Sequence, residues 1–98
     1  MLANTESSIL MNVHCCKLLD SGKLTMGQVS RAKMHAAKLA RETVSLAREC
    51  LGGNGILIEN SVIKAFMDIE ALYTYEGTYD INALISGREL TGGIPAFK

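Results

Sequence analysis

The chain has 98 residues, 48% apolar and 20% charged, with no Trp and a formal net charge of zero. That length allows one small domain or a piece of a larger one, and burial at this size only modestly outweighs chain entropy, so a partner surface would help. Charge is uneven, since residues 1–50 hold seven Lys or Arg against four acids (+3) and residues 51–98 three against six (−3), but no continuous basic stripe of a nucleic-acid binder results.

Cys15, Cys16 and Cys50 are odd in number and lack metal-ligand spacing, the pattern of reduced thiols in an intracellular protein. No apolar run reaches membrane-spanning length, and the first residues do not have a signal-peptide pattern. No metal, nucleic acid or membrane insertion is expected.

A first helix is predicted over about residues 3–20, with Ile9, Val13 and Cys16 on one stripe and Leu10, His14 and Leu18 beside it. His14, Cys15 and Cys16 share this helix, mostly on its packed side, which favours packing over a nucleophile–base pair. Asp20-Ser-Gly22 ends it, with Gly22 suited to a left-handed C-terminal position. Thr25-Met-Gly-Gln28 fits a capping box and opens a long helix to about Leu51. Val29, Ala32, Ala36, Ala40, Ala47 and Leu51 recur at helical spacing, a small-residue stripe that permits close approach of another helix. Arg31, Lys33, Lys38, Arg41, Glu42 and Arg48 cover the rest.

Gly52-Gly-Asn-Gly55 stops the long helix. A helix C-cap and a loop whose backbone approaches a phosphate or cofactor edge both fit; a Rossmann fingerprint or P-loop does not, because the glycines close a helix instead of following a strand. A third helix is predicted over about Glu59–Leu72, with Val62, Ile63, Phe66, Met67 and Ile69 on its apolar side. A fourth runs from about Thr78 to Leu90 and buries Ile81, Leu84, Ile85 and Leu90. The Tyr73–Gly77 turn between them carries Glu76. There a helix N-terminus favours the charged carboxylate, while burial among Tyr73, Tyr75 and Tyr79 opposes it. A general base and a surface acid both fit that position. Thr91-Gly-Gly-Ile-Pro95 ends the last helix. The fold class is all-α, an up-down bundle of about four helices.

ARECLGGNGI, then a helix, then YTYEGTYDINALISGRELTGGIPAF resembles the C-terminal helical domain of the acyl-CoA dehydrogenase family across residues 1–98. Within it, YEGTYDIN, LGGNGI and GRELTG most resemble the branch holding glutaryl-CoA dehydrogenase and the short-chain acyl-CoA oxidases. The resemblance implies an FAD-dependent oxidoreductase. Glu76 would be the catalytic base that takes the α-proton of an acyl-CoA thioester, while the β-hydrogen leaves as hydride to FAD. The base's own N–H and a flavin hydroxyl would form an oxyanion hole for the thioester oxygen.

By the same resemblance, Gly77 gives the substrate clearance and Arg88 matches a position associated with CoA. Thr78, Asp80 and Phe97 match FAD contacts, and Glu49, Cys50, Leu51, Gly52 and Gly53 match a loop lying against the FAD of a neighbouring subunit. Asp80 stands where much of the family has Gln, and Gly92-Gly93 has one residue more than usual. An electron-transfer flavoprotein or oxygen would accept the electrons. A homo-oligomer, a tetramer in the full-length family, is implied, in the mitochondrial matrix or peroxisome of a eukaryote or the cytoplasm of a bacterium. The family's N-terminal helical domain, middle β-domain and one bundle helix are expected to be absent from this segment. The uncovered flank is expected to be the small-residue stripe of the long helix, and the segment alone is expected to be inactive. The alternative is a non-catalytic helical oligomerisation module.

Overall fold

A computed structural model of the chain describes residues 1–93; Phe97, matched above to an aromatic near FAD, lies outside the described residues. The helices are α1 (Leu2–Asp20), α2 (Met26–Cys50), α3 (Val62–Thr74) and α4 (Tyr79–Leu90), with 3-10 turns at Gly52–Ile56 and Ile58–Asn60. No strand occurs among the described residues, so the chain is all-α.

The predicted punctuation is in place. Gly22 is left-handed at φ 68°, and Lys23 N–H and Gly22 N–H close back on the Leu18 and Leu19 carbonyls, a Schellman end to α1. At the start of α2, Thr25 Oγ1 accepts from Gln28 N–H (3.3 Å) and Gln28 Oε1 accepts from Thr25 N–H (2.8 Å), completing the capping box. α3 begins three residues later than the predicted Glu59, because residues 58–60 form a 3-10 turn and Ser61 turns left-handed (φ 59°) before it.

α2 is the wall against which the other helices pack. α1 runs antiparallel along it, with Asn4 bonded to Thr43 and Cys15 against the Gln28 carbonyl. On another side α3 and α4 follow one another along the same helix. Phe66 lies beside Lys38 and Ser45, Leu72 reaches Lys33, Ser86 reaches Arg31, and Glu89 reaches Gly27. The four helices therefore fill three rod positions, with a break in the third at residues 75–78. The result is a plate of 49 × 32 × 17 Å with a radius of gyration of 16.0 Å, against about 13 Å for a compact domain of 100 residues.

Little is buried in such a plate. Ala32, Ala37 and Ile69 are the buried apolar residues among those described. Three predicted stripes are corrected. α1 buries no residue; it turns Asn4, Ser8, Met11, Cys15 and Leu18 toward α2, while Ile9, Leu10, Val13, His14 and Cys16 are exposed. Its short polar side chains are the ones that fit against the alanines of α2. On α3 only Ile69 of the predicted apolar side is buried, and Met67 is exposed. On α4 the predicted face is largely inverted: Ile81, Leu84 and Leu90 are exposed, Ile85 is half-buried, and Asn82 and Ser86 are buried. The inversion has a polar cause, because the side of α2 opposite α4 presents Gly27 and Arg31, which pair with Glu89 and Ser86. The small-residue stripe of α2 lines two adjoining grooves of about 390 and 310 Å³ that share Asn12, Ala36 and Ala40; α1 lies along it, with Ala32 buried and Ala36, Ala40 and Ala47 half-buried.

A polar clasp joins the last turn of α4 to the first turn of α2. The Glu89 carboxylate accepts from Gly27 N–H (2.8 Å), Thr25 Oγ1 (3.0 Å) and Arg31 (3.4 Å), and Arg31 also donates to Ser86 Oγ (3.0 Å). Thr25, then Gly27, then Arg31 hold the Glu89 carboxyl below the usual carboxylate range. A depressed carboxyl contributes stability that is present above its unfolded pKa and is lost as pH falls through the lower native one. Glu89→Gln should therefore lower the urea midpoint at pH 7, and the difference from wild type should narrow below about pH 4; an unchanged difference at pH 3 would show that the clasp contributes nothing through its charge.

Candidate functional site

The break between α3 and α4 is built around an unusual backbone. Tyr75 N–H closes α3 on the Ala71 carbonyl (2.9 Å). Glu76 (φ 56°) and Gly77 (φ 91°) then adopt left-handed conformations in succession. For a non-glycine residue that costs about 1–2 kcal/mol. At Gly77 the need for glycine is double: besides its φ, a Cβ would stand 2.8 Å from Asn82 Nδ2. Asn82 is buried and donates from Nδ2 to the Gly77 (2.8 Å) and Thr78 (3.0 Å) carbonyls. Lys33, reaching up from α2, donates to the Leu72 (2.8 Å) and Gly77 (3.3 Å) carbonyls. Thr78 caps α4, its hydroxyl accepting from Ile81 N–H (3.3 Å).

The expected burial of Glu76 among tyrosines is not found. Glu76 is exposed, and the rings are engaged elsewhere. Tyr73 and Tyr79 stack on each other with centroids 6.3 Å apart. Arg41 lies 4.7 Å from the Tyr73 centroid and Lys38 5.6 Å from that of Tyr79. Arg41 also pairs with Glu70 at 2.5 Å, whose hydrogen bond and charge raise the guanidinium above its ordinary value. The aromatics thus tie the last turn of α3 to the first turn of α4 and leave the carboxylate facing outward.

In the glycine loop, capping explains two positions. Gly52 follows the α2 C-cap Leu51 in a left-handed conformation (φ 55°). Gly55 is buried where a Cβ would stand 2.3 Å from the Arg48 carbonyl oxygen. Asn60 Nδ2 secures the loop by donating to the Asn54 carbonyl (2.7 Å). Gly53 is different: its φ is not in the left-handed region and nothing lies within 4 Å of its Cβ position. Glu49, Cys50, Leu51, Gly52 and Gly53 are all exposed.

The sequence-predicted residues thus fall into two groups. Glu76, Gly77, Thr78 and Asp80 share the break and the first turn of α4; residues 49–53 sit at the other end of α3, whose 13 residues span about 20 Å. Arg88 is in the last turn of α4, exposed, beside a recess of about 220 Å³ with Met26 and Ile85. It takes no part in the ion pairs among the described residues, Arg31–Glu89, Arg41–Glu70 and Lys64–Asp68. No group of three metal-ligating side chains occurs among the described residues. Sequence reasoning did not single out Lys33 or Asn82 for the break. Asn82, polar between Ile81 and Ala83 in a helix, was a usable signal; Lys33 resembles the solvated cations around it.

Residues 1–91 match the family described as acyl-CoA dehydrogenase, C-terminal domain. The chain is 33% identical over 91 residues to cyclohex-1-ene-1-carbonyl-CoA dehydrogenase of Geobacter metallireducens, covering 92% of this chain and 24% of that one. It is 33% identical over 81 residues to the mitochondrial short/branched chain specific acyl-CoA dehydrogenase of Bos taurus, covering 83% and 19%. The crystal structure of glutaryl-CoA dehydrogenase from Mycobacterium smegmatis superimposes with a TM-score of 0.86 at 37% identity, covering 92% of this chain and 23% of that one. The chain thus spans about a quarter or less of the length of these relatives.

The two glycine environments predict opposite outcomes. Gly55→Ala should destabilise the chain by about 1–3 kcal/mol, since the contact is with rigid backbone. Gly53→Ala should leave stability unchanged or raise it by up to about 1 kcal/mol. Urea denaturation of the two variants checks this, and equal losses would refute it.

Proposed function

Because the chain belongs to the acyl-CoA dehydrogenase family, we propose that it is the C-terminal part of an FAD-dependent dehydrogenase or oxidase in which Glu76 removes the α-proton of an acyl-CoA thioester. The observation that carries this proposal is the strained, exposed backbone at Glu76. Strain of this kind persists only where the surroundings over-determine it, and it clusters at functional positions. Glu76 N–H donates to no carbonyl among the described residues, which leaves it available to the thioester oxygen as negative charge develops there. One residue then offers a carboxylate to the α-carbon and an N–H to the carbonyl. General-base assistance is typically worth about 10²–10⁴-fold.

The chain's residues suit one edge of an FAD. The Thr78 hydroxyl accepts from Ile81 N–H and keeps its proton for an outward acceptor, while Gly52 and Gly53 leave backbone accessible with no neighbour within 4 Å of their Cβ positions. Thr78 and Asp80 would hold FAD in one subunit, and Glu49, Cys50, Leu51, Gly52 and Gly53 that of a neighbour. About 20 Å of helix between the two groups supports contact across a subunit boundary in a homo-oligomer. FAD, when bound, takes up the β-hydrogen with its electron pair. Gly77, next to the base, would lie beside the thioester, and Arg88 would meet CoA. Glutaryl-CoA or a short-chain acyl-CoA is the proposed substrate, and an electron-transfer flavoprotein or oxygen the acceptor. A mitochondrial, peroxisomal or bacterial cytoplasmic setting is proposed. No described helix is long and apolar enough to cross a membrane.

In the complete flavoprotein carrying this chain, Glu76→Gln should retain FAD and lose anaerobic bleaching of the flavin by acyl-CoA by at least about 100-fold; undiminished bleaching would sink the base assignment. The 98-residue chain alone should self-associate through its exposed apolar faces and hold no stoichiometric FAD. A compact monomer at micromolar concentration in sedimentation, or a yellow preparation with one FAD per chain, would contradict this. A non-catalytic oligomerisation module is the second proposal, favoured by the exposure of Ile9, Leu10, Val13, Ile81 and Leu84; it predicts no effect of Glu76→Gln in any assay.

A further inference from the structure

We infer that Lys33 is a positioning residue for the Glu76 turn, acting with Asn82 through the Gly77 carbonyl; this rests on the assignment of Glu76 as the base. Lys33 stands in α2 opposite the break, its stem along the wall of the larger groove beside Ala36 and Ala37. Its two acceptors flank Glu76 in the chain: Leu72 O at 2.8 Å on one side and Gly77 O at 3.3 Å on the other. Leu72 O is among the last carbonyls of α3, which have no partner within the helix and attract a cation. One ammonium therefore ties the end of α3 to the peptide that follows the base.

The Gly77 carbonyl is the point where the constraints meet. It accepts from Lys33 Nζ and, at 2.8 Å, from Asn82 Nδ2. Asn82 also accounts for the absence of a side chain at Gly77, since a Cβ there would stand 2.8 Å from its Nδ2. Two donors on one carbonyl fix the plane of the Gly77–Thr78 peptide. With Leu72 held as well, Glu76 is confined between two anchored points and kept at φ 56°. Without Lys33, Asn82 alone would hold the carbonyl, and Glu76 could relax toward right-handed conformations. That would swing its carboxylate and its N–H together, and a misplacement of about 1 Å can cost about 100-fold in rate.

The test uses the FAD-loaded complete flavoprotein, with rapid-mixing bleaching by saturating acyl-CoA, acyl-CoA affinity from equilibrium titration of an unreactive thioether analogue, and Glu76→Gln in parallel. Lys33→Met keeps the length of the side chain and removes its donors. It should slow bleaching about 10- to 100-fold with FAD content and analogue affinity unchanged, and Lys33→Arg should recover most of the rate. Bleaching by Lys33→Met within two-fold of wild type overturns the inference, as does a loss confined to affinity. If Glu76→Gln bleaches normally, the base assignment fails instead; if only Glu76→Gln is impaired, the positioning role alone fails. Should Lys33→Met not load FAD, Lys33→Gln is judged by the same rates. Failure of the Met, Gln and Arg variants alike to load FAD overturns the positioning role in favour of a purely structural one.

Discussion

α2 is the shared surface on which the chain is organised. α1 runs along one side of it, α3 and α4 occupy another in series, and the glycine loop folds back onto its last turn. Because α3 and α4 lie end to end, neither supports the other laterally, and the break between them has to be held from below. The contacts that do so are mostly polar: Lys33 to two carbonyls, Arg31 to Ser86, Glu89 to Gly27, Arg41 to Glu70. The positive first half and negative second half of the sequence find their use here, since Arg31–Glu89 and Arg41–Glu70 each pair one half with the other.

This polar seam changes what the apolar residues do. In a closed bundle they would meet in the middle. Here the groups of α4 that bond to α2 are Ser86 and Glu89, Asn82 is buried on the Gly77 and Thr78 carbonyls, and Ile81 and Leu84 are turned outward. A buried polar group keeps its place only while its hydrogen bonds are satisfied, and no fully enclosed side-chain nitrogen or oxygen among the described residues lacks a partner. The seam thus specifies geometry, and the outward apolar faces are left for association.

What could be read from the sequence follows the range of the interactions involved. The Thr25–Gln28 capping box, the Gly22 turn and the Gly52 cap depend on neighbours within a few residues, and each was legible. The inner face of α4 was legible only in part: Asn82 bonds carbonyls four and five residues away, while Ser86 answers a side chain 55 residues away. Periodicity found the apolar stripes of α1 and α4 correctly as stripes and assigned them to the wrong side. The turn at Glu76 was legible as a turn, while its left-handed backbone was not, since no local rule favours a glutamate there. Gly77, next to it, carried half of that information. Lys33 was hidden by its company, one cation among several on a surface that looked solvated.

The Glu89 clasp also imposes an order of assembly. The N–H of Gly27 must wait for a carboxylate 62 residues further along. At about 5–20 residues per second of synthesis, that delay is some ~3–12 s. In the interval α2 has its local cap, the company of α1, with which it can already form a hairpin, and then that of the glycine loop and α3. The longest helix is therefore first one arm of a two-helix hairpin, and it becomes the wall behind Glu76 only once the last turn of the last helix has been made.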